Sequence, residues 1–211
     1  MVIKSFPPVE SADDDGLLAI GGDLDPHSVL LAYQSGIFPW PIDRATLSWF
    51  APPERAVLFV EEFHTPKRLK RALRKHPFTH KRDCDFKGVI ERCAEIQNRG
   101  EQNGTWITTE IVSAYTELFE LGHCHSFETY LNEELVGGLY GIQIGKFFAA
   151  ESSFFRFPDA SKFAMCSMVD YLRQQGISWF DCQVLTPFSE SFGAREISRE
   201  DYMVMLSAAL K

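Results

Sequence analysis

The sequence has no CxxC pair, no apolar run approaching the ~20 residues of a membrane helix, and no excess of positive charge. Its five cysteines are odd in number and widely spaced. That pattern reads as reduced thiols rather than a disulfide framework. The N-terminus, MVIKSFPPVESADDDG, lacks a basic stretch leading into an apolar segment, so no signal peptide is expected and the expected location is cytoplasmic, away from membranes. His123-Cys124-His125 has no second cluster at zinc-ligand spacing and falls at an expected helix-to-strand turn, so no metal is expected. With 21 Lys and Arg against 29 Asp and Glu, the net charge is -8. By that total, a nucleic-acid partner is disfavoured. What remains is a chain of 211 residues, 45% hydrophobic and 24% charged, ordinary for a globular protein and long enough for a sizeable core.

The first sixty residues are rich in Pro and Gly. They read as a small turn-rich module, 1–61, with one helix that Asp25 caps, Pro26 opens and Gly36 ends, and one strand at Ala56 to Val60. Residues 62–211 form the larger part. A basic helix is expected over 65–76, capped by Thr65 with Pro66 at its first position. A second helix is expected from Phe86 to Asn98 on a stripe that includes Gln97, then a loop from Gly100 to Gly104. A third helix starts near Thr108 and stops at Gly122. Strands follow at His125 to Leu131, Leu135 to Ile144 and Phe147 to Ser152, then a helix from Ala160 to Gln175, a strand from Ile177 to Val184 and a helix from Arg199 to Leu210. An antiparallel meander, a helix across it and a further strand is the pattern of a GNAT-like acyltransferase domain. The fold class expected is therefore α+β, with a mostly antiparallel sheet and packed helices.

Charge is not evenly spread. Residues 67–82 hold Lys67, Arg68, Lys70, Arg71, Arg74, Lys75, Lys81 and Arg82 with no acidic residue, which leaves the rest of the chain at -16. A solvated helix face ordinarily mixes signs, because like charges at i,i+4 repel. Lys67 with Arg71 and Lys70 with Arg74 are such pairs, so a polyanion such as a nucleic-acid backbone is the favoured partner.

Alternation places Ile177, Trp179, Asp181 and Gln183 on one face of their strand, and Phe147, Ala149 and Glu151 on one face of theirs. Three polar side chains at neighbouring strand ends are a candidate site floor. A CoA-dependent enzyme of this architecture would present a Gly-rich turn to a pyrophosphate, but the corresponding segment, SSFFRFPDASK, has no glycine. No cofactor is expected.

GLLAIGGDL (Gly16 to Leu24), LLAYQSGIFPW (Leu30 to Trp40), GTWIT (Gly104 to Thr108), ELVGGLYG (Glu134 to Gly141), ESSFFR with ASK (Glu151 to Lys162), and DCQV with FGAREI (Asp181 to Ile197) occur in this order. In series they resemble the bacterial leucyl/phenylalanyl-tRNA–protein transferase family over nearly the whole chain. The resemblance implies a monomer that transfers Leu or Phe, and less well Met, from Leu-tRNA or Phe-tRNA to the N-terminal Arg or Lys of an acceptor protein, marking it for degradation. It also implies roles. Trp40 and Trp106 lie near the aminoacyl end, and Glu151 holds the aminoacyl group. Asp181 and Gln183 orient the attacking amine, while Phe148, Met168 and Leu172 line an apolar pocket. Lys67, Arg68, Lys70, Arg71, Arg74 and Lys75 meet the acceptor stem. The chain departs from the family pattern at Ala150, Ser153, Phe155 and Phe188, and Met168 and Leu172 stand where aromatics can occur. From the residues alone, a CoA-dependent N-acetyltransferase or a non-enzymatic RNA-binding adaptor are the alternatives.

Overall fold

Residues 2–42, 46–96, 98–99, 102–103 and 105–211 are described in the computed structural model of the chain. Gln97 and the expected loop from Gly100 to Gly104 lie outside the described residues, save for the backbone of a two-residue ladder within that stretch.

Turn chemistry shapes the first sixty residues. β1 (Leu17–Ile20) precedes α1 (Pro26–Gln34), whose cap Asp25 accepts from the His27 amide at 2.9 Å. Gly36 ends the helix in the left-handed region at φ +79°, and a Cβ there would sit 2.4 Å from the Met203 sulfur. β2 (Phe38–Pro39) and β3 (Ser48–Phe50) complete a three-stranded sheet of order β1-β3-β2. β4 (Glu54–Phe59) leaves that sheet for a larger one.

The larger part contains α2 (Lys67–Leu73), β5 (Thr79–Arg82), α3 (Phe86–Ala94), the ladder of β6 (Asn98–Arg99) and β7 (Gln102–Asn103), and α4 (Thr109–Glu120). It continues with β8 (Cys124–Leu131), β9 (Glu134–Ile144), β10 (Phe147–Phe155), α5 (Ala160–Gln174), β11 (Trp179–Gln183), α6 (Pro187–Glu190), β12 (Arg195–Ser198) and α7 (Arg199–Ala209). The basic helix is shorter than the expected 65–76. Pro66 is its cap, with ψ 142°, so the first turn cannot begin there. The Thr65 hydroxyl faces the Cys166 sulfur at 3.8 Å instead of capping. α3 likewise stops at Ala94, four residues before Asn98.

Seven strands form one sheet, in the order β12-β4-β11-β10-β9-β8-β5. Every neighbouring pair is antiparallel except β10 and β11, which run parallel and pair only at Ala149 with Asp181. The fold is thus α+β with an antiparallel-rich sheet. Phe147 and Phe148 point to opposite faces, as successive strand residues do, and they belong to two separate cores. One gathers Phe147, Tyr33, Tyr115, Val89 and Tyr202. The other gathers Phe148, Met168, Leu172 and Phe180 against α5, with Leu69 of α2 at its border. At roughly 1.5–3 kcal/mol per fully buried large apolar side chain, these two cores fix the sheet between its helices.

Candidate functional site

The polar groups gather where β10 and β11 diverge. Each strand slips register there: β10 between Ala150 and Ser152 against β9, β11 between Asp181 and Gln183 against β4. A bulge of this kind re-aims side chains next to it. In β11 the slip is accompanied by a left-handed Gln183, φ 58°. Its amide folds back onto Asp181 Oδ1 at 2.7 Å, and its side-chain Nε2 donates to Glu151 Oε1 at 2.9 Å. The glutamine thus ties the two strands together beyond their single backbone pair.

Glu151 is 9% exposed. Tyr33 Oη donates to its Oε1 at 2.7 Å, Tyr115 Oη lies 3.4 Å from its Oε2, and the two phenol oxygens are 2.6 Å apart. Burial pushes its carboxyl up to about 8, and the Asp181 charge adds to this, against the hydrogen bonds from Tyr33 and Gln183. Burial, and then the Glu151 charge, hold both phenols well above their ordinary value, so they serve as neutral donors.

Asp181 is fully buried and belongs to a different set of contacts. Arg55 Nε and an Nη reach its two oxygens at 2.9 and 2.7 Å, and Tyr202 Oη donates at 2.9 Å. The Arg55 guanidinium lies 4.5 Å from the ring centroids of both Phe38 and Tyr202 and donates to the Gly36 carbonyl at 3.0 Å. Burial opposes its charge, but Asp181 outweighs burial and holds it protonated. The Asp181 carboxylate is therefore occupied by Arg55, and what it holds is the backbone of Gln183.

Other expected site residues fall around this floor. Trp40 is half-buried, with ring centroids 6.0 Å from Phe38 and 6.2 Å from Phe50. It lines a cavity of about 290 Å³ together with Val184, the residue after Gln183. Trp106 is half-buried against the core that contains Tyr115. Phe148, Met168 and Leu172 are fully buried on the α5 face of the sheet, opposite the Tyr33 and Tyr115 side. A larger groove of about 900 Å³ runs along α7 past Arg199 and Val204 and shares no residue with this site. Among the described residues, no group of three metal-ligating side chains is positioned to hold an ion.

Tyr33, Tyr115, Arg55 and Tyr202 were not singled out by sequence reasoning as site residues. Both Tyr33 and Tyr115 sit on apolar helical stripes, where a tyrosine reads as core. Arg55 is the second residue of β4, after Glu54 and before an apolar run, a place where charge is unremarkable. No local signal marks any of the four, because each acts on a partner far along the chain.

On α2 and the two residues after it, Leu69 is buried while Lys67, Arg68, Lys70, Arg71, Arg74 and Lys75 are all exposed. No salt bridge joins any of the six to a carboxylate among the described residues. The patch thus retains its full positive charge.

Two family models cover most of the chain. The leucyl/phenylalanyl-tRNA protein transferase model matches residues 57–207, and the N-terminal domain model of the same family matches residues 22–53. Among curated relatives, the leucyl/phenylalanyl-tRNA–protein transferase of Flavobacterium johnsoniae is 45% identical over 203 residues, covering 96% of this chain and 95% of that one. Its counterpart from Syntrophobacter fumaroxidans is 46% identical over 202 residues, covering 96% of this chain and 86% of that one. Among solved structures, FemX superposes with a TM-score of 0.53 at 11% identity, over 82% of this chain and 66% of that one, a likeness of fold alone. The ordered motifs, both family models and relatives at nearly half identity agree: the chain belongs to the leucyl/phenylalanyl-tRNA protein transferase family.

Proposed function

We propose that this aminoacyltransferase moves Leu or Phe, and Met less well, from the ester of its tRNA to the α-amino group of an acceptor's N-terminal Arg or Lys, marking that acceptor for degradation. It acts as a cytoplasmic monomer without a cofactor, on a GNAT-like domain (62–211) preceded by a small module (1–61) that lends β4 to the large sheet. The observation that carries this reading is the Glu151–Gln183 bridge from the middle of β10 to the end of β11. It puts a proton acceptor and an amide within one hydrogen bond of each other at the parallel junction of β10 and β11.

In this reading the acceptor's α-ammonium enters beside Glu151 and loses a proton to its carboxylate, while the Gln183 amide orients the amine. The amine nitrogen then attacks the ester carbonyl carbon. The bond from that carbon to the ribose oxygen breaks, and the oxygen leaves with the second amine proton. Positioning two substrates can supply ~7–11 kcal/mol of the barrier, so aminolysis of an activated ester asks little more of the site. The aminoacyl side chain passes between the splayed strands towards Phe148, Met168 and Leu172, while Trp40 and Trp106 flank the nucleoside end. An apolar pocket discriminates by only ~1–3 kcal/mol per methylene, which favours Leu, Phe and Met over small side chains with some overlap. Asp181 acts through the backbone of Gln183, and the basic face of α2 takes phosphates of the acceptor stem.

Incubation with radiolabelled Leu-tRNA and a peptide beginning with Arg tests the whole reading. Label is expected in the peptide, and label remaining wholly on tRNA would overturn it. Transfer is also expected to depend on pH. The Glu151 carboxyl sits at about 8 and must be ionised before it can take the proton of an α-ammonium whose own value is near ~7.7–8.0, so the pair must first shed one proton to solvent. The single-turnover rate should climb from acid towards pH ~8 and then level; a flat profile across that range removes Glu151 as the proton acceptor. Reversing Lys67, Arg71 and Arg74 to Glu should weaken aminoacyl-tRNA binding sharply and lower the slope of log affinity against log salt by about 3. Unchanged affinity and slope would remove α2 from the interface.

A further inference from the structure

Immediately after the basic helix, the chain makes a second cluster that neither core contains. His76 and Phe78 have ring centroids 5.2 Å apart, and Phe157 meets both, at 5.1 Å from His76 and 5.7 Å from Phe78. Phe163 lies 5.5 Å from Phe78 and 6.3 Å from His80. Phe78, Phe157 and Phe163 are half-buried, His80 is exposed, and Phe155, two residues before Phe157, is 61% exposed. None of these six belongs to either buried core or to the side chains packed on them.

The surroundings select the partner. Arg74 and Lys75 precede the cluster, and Lys81 and Arg82 follow it, all exposed. The nearby carboxylates are already taken: Asp159 pairs with Lys162 at 2.9 Å, and Glu95 with Arg156 at 2.9 Å. Of the four cations around the rings, only Arg82 has a carboxylate partner among the described residues, Asp83 at 3.3 Å. Half-buried rings inside such a rim suit a polyanion whose units have flat faces, which is single-stranded nucleic acid. Position narrows it further. The cluster lies between the cations of α2 and the end of β10, and Phe155 is four strand residues, about 13 Å, beyond Glu151. A tRNA whose stem rests on α2 and whose ester reaches Glu151 must pass its unpaired 3′ nucleotides over this ground.

We propose that His76, Phe78, His80, Phe157 and Phe163 form a stacking platform for the unpaired 3′ nucleotides of the tRNA. This rests on the aminoacyl-tRNA reading given above and adds a second element of recognition to it. The α2 cations hold phosphates wherever they lie, whereas the platform reads the absence of pairing. It therefore ranks a tRNA with a free 3′ overhang above any blunt duplex.

The test is a double variant, Phe78→Leu with Phe157→Leu, which keeps apolar bulk and removes the π faces. Binding is measured with intact Phe-tRNA and with the same tRNA trimmed of its unpaired 3′ nucleotides. The variant should lose about tenfold in affinity for intact tRNA, keep the wild-type salt slope, and match wild type on trimmed tRNA. Equal affinity for intact tRNA, or an equal loss on both RNAs, overturns the platform. Independently of any variant, 2-aminopurine placed in the 3′ overhang should lose fluorescence when wild-type protein binds and keep it when the double variant does; no quenching with wild type also overturns it. Failure of the aminoacyl-tRNA reading looks different, since wild type would then bind neither RNA.

Discussion

Replacing Glu151 by Gln is expected to slow transfer by about 10²- to 10⁴-fold, the usual contribution of a positioned proton acceptor, while tRNA affinity barely moves. The substitution suits the site because a glutamine preserves its hydrogen bonds. Its carbonyl can accept from Tyr33 and Gln183 as Oε1 does now, and its amide can face Tyr115. What disappears is the group able to take a proton from the incoming amine. A second readout guards against a merely structural loss. In the folded protein the carboxyl keeps its proton up to about pH 8, whereas in the unfolded chain it ionises near ~4.3. Between those values the unfolded state has released a proton that the folded state retains, so raising the pH favours unfolding. Chemical denaturation should show this fall in wild type and a flatter profile in Glu151→Gln. Full transfer activity in the variant would remove Glu151 from the chemistry.

Arg55→Met should be the most damaging single change to stability. It leaves the fully buried Asp181 carboxylate without its cation, and breaking such a pair on one side costs about 3–5 kcal/mol. For a chain of this size that corresponds to a drop in Tm of roughly 10 °C. Arg55→Lys should lie between, because one ammonium cannot hold both Asp181 oxygens and the Gly36 carbonyl at once. The double variant Arg55→Met with Asp181→Asn should regain much of the loss, since no charge is then stranded. A single variant within about 1 kcal/mol of wild type would show that the pair does not hold the floor together.

Much of this was legible because local chemistry wrote it. Asp25-Pro26 and Gly36 bound α1, Thr108 caps α4, and Asn132-Glu133 turn β8 into β9 with both residues left-handed, φ 50° and 68°. Alternation put Glu151, Asp181 and Gln183 near strand ends, but only Gln183 ends its strand: β10 runs on to Phe155, past the expected stop at Ser152, and leaves Glu151 at its middle, as Asp181 is in β11. It could not show the two register slips, which arise from pairing between strands rather than from either strand. It could not show that Asp181 faces Arg55, because the two lie 126 residues apart and meet through the pairing of β4 with β11. The edge strands β5 and β12 carry charged sequences, THKR and REIS, without the alternation that announces a half-buried strand. Thr65 reads as a cap until Cys166 is seen beside it.

The strand β4 has a consequence for how this chain can be taken apart. The two family models meet across residues 54–56, and Arg55 sits in that gap. Tyr33 lies upstream of it, whereas Glu151, Asp181 and Tyr202 lie downstream. A cut at the seam would leave one fragment with the Tyr33 phenol but neither Glu151 nor Asp181, and the other with those two buried carboxylates missing donors. Neither piece could be borrowed by another protein as a working unit, and a duplication or fusion that separated them would have to reunite them in space before any aminoacyl group moved. What looks in sequence like an accessory module joined to an enzyme is, in the polar cluster around Glu151 and Asp181, one indivisible part.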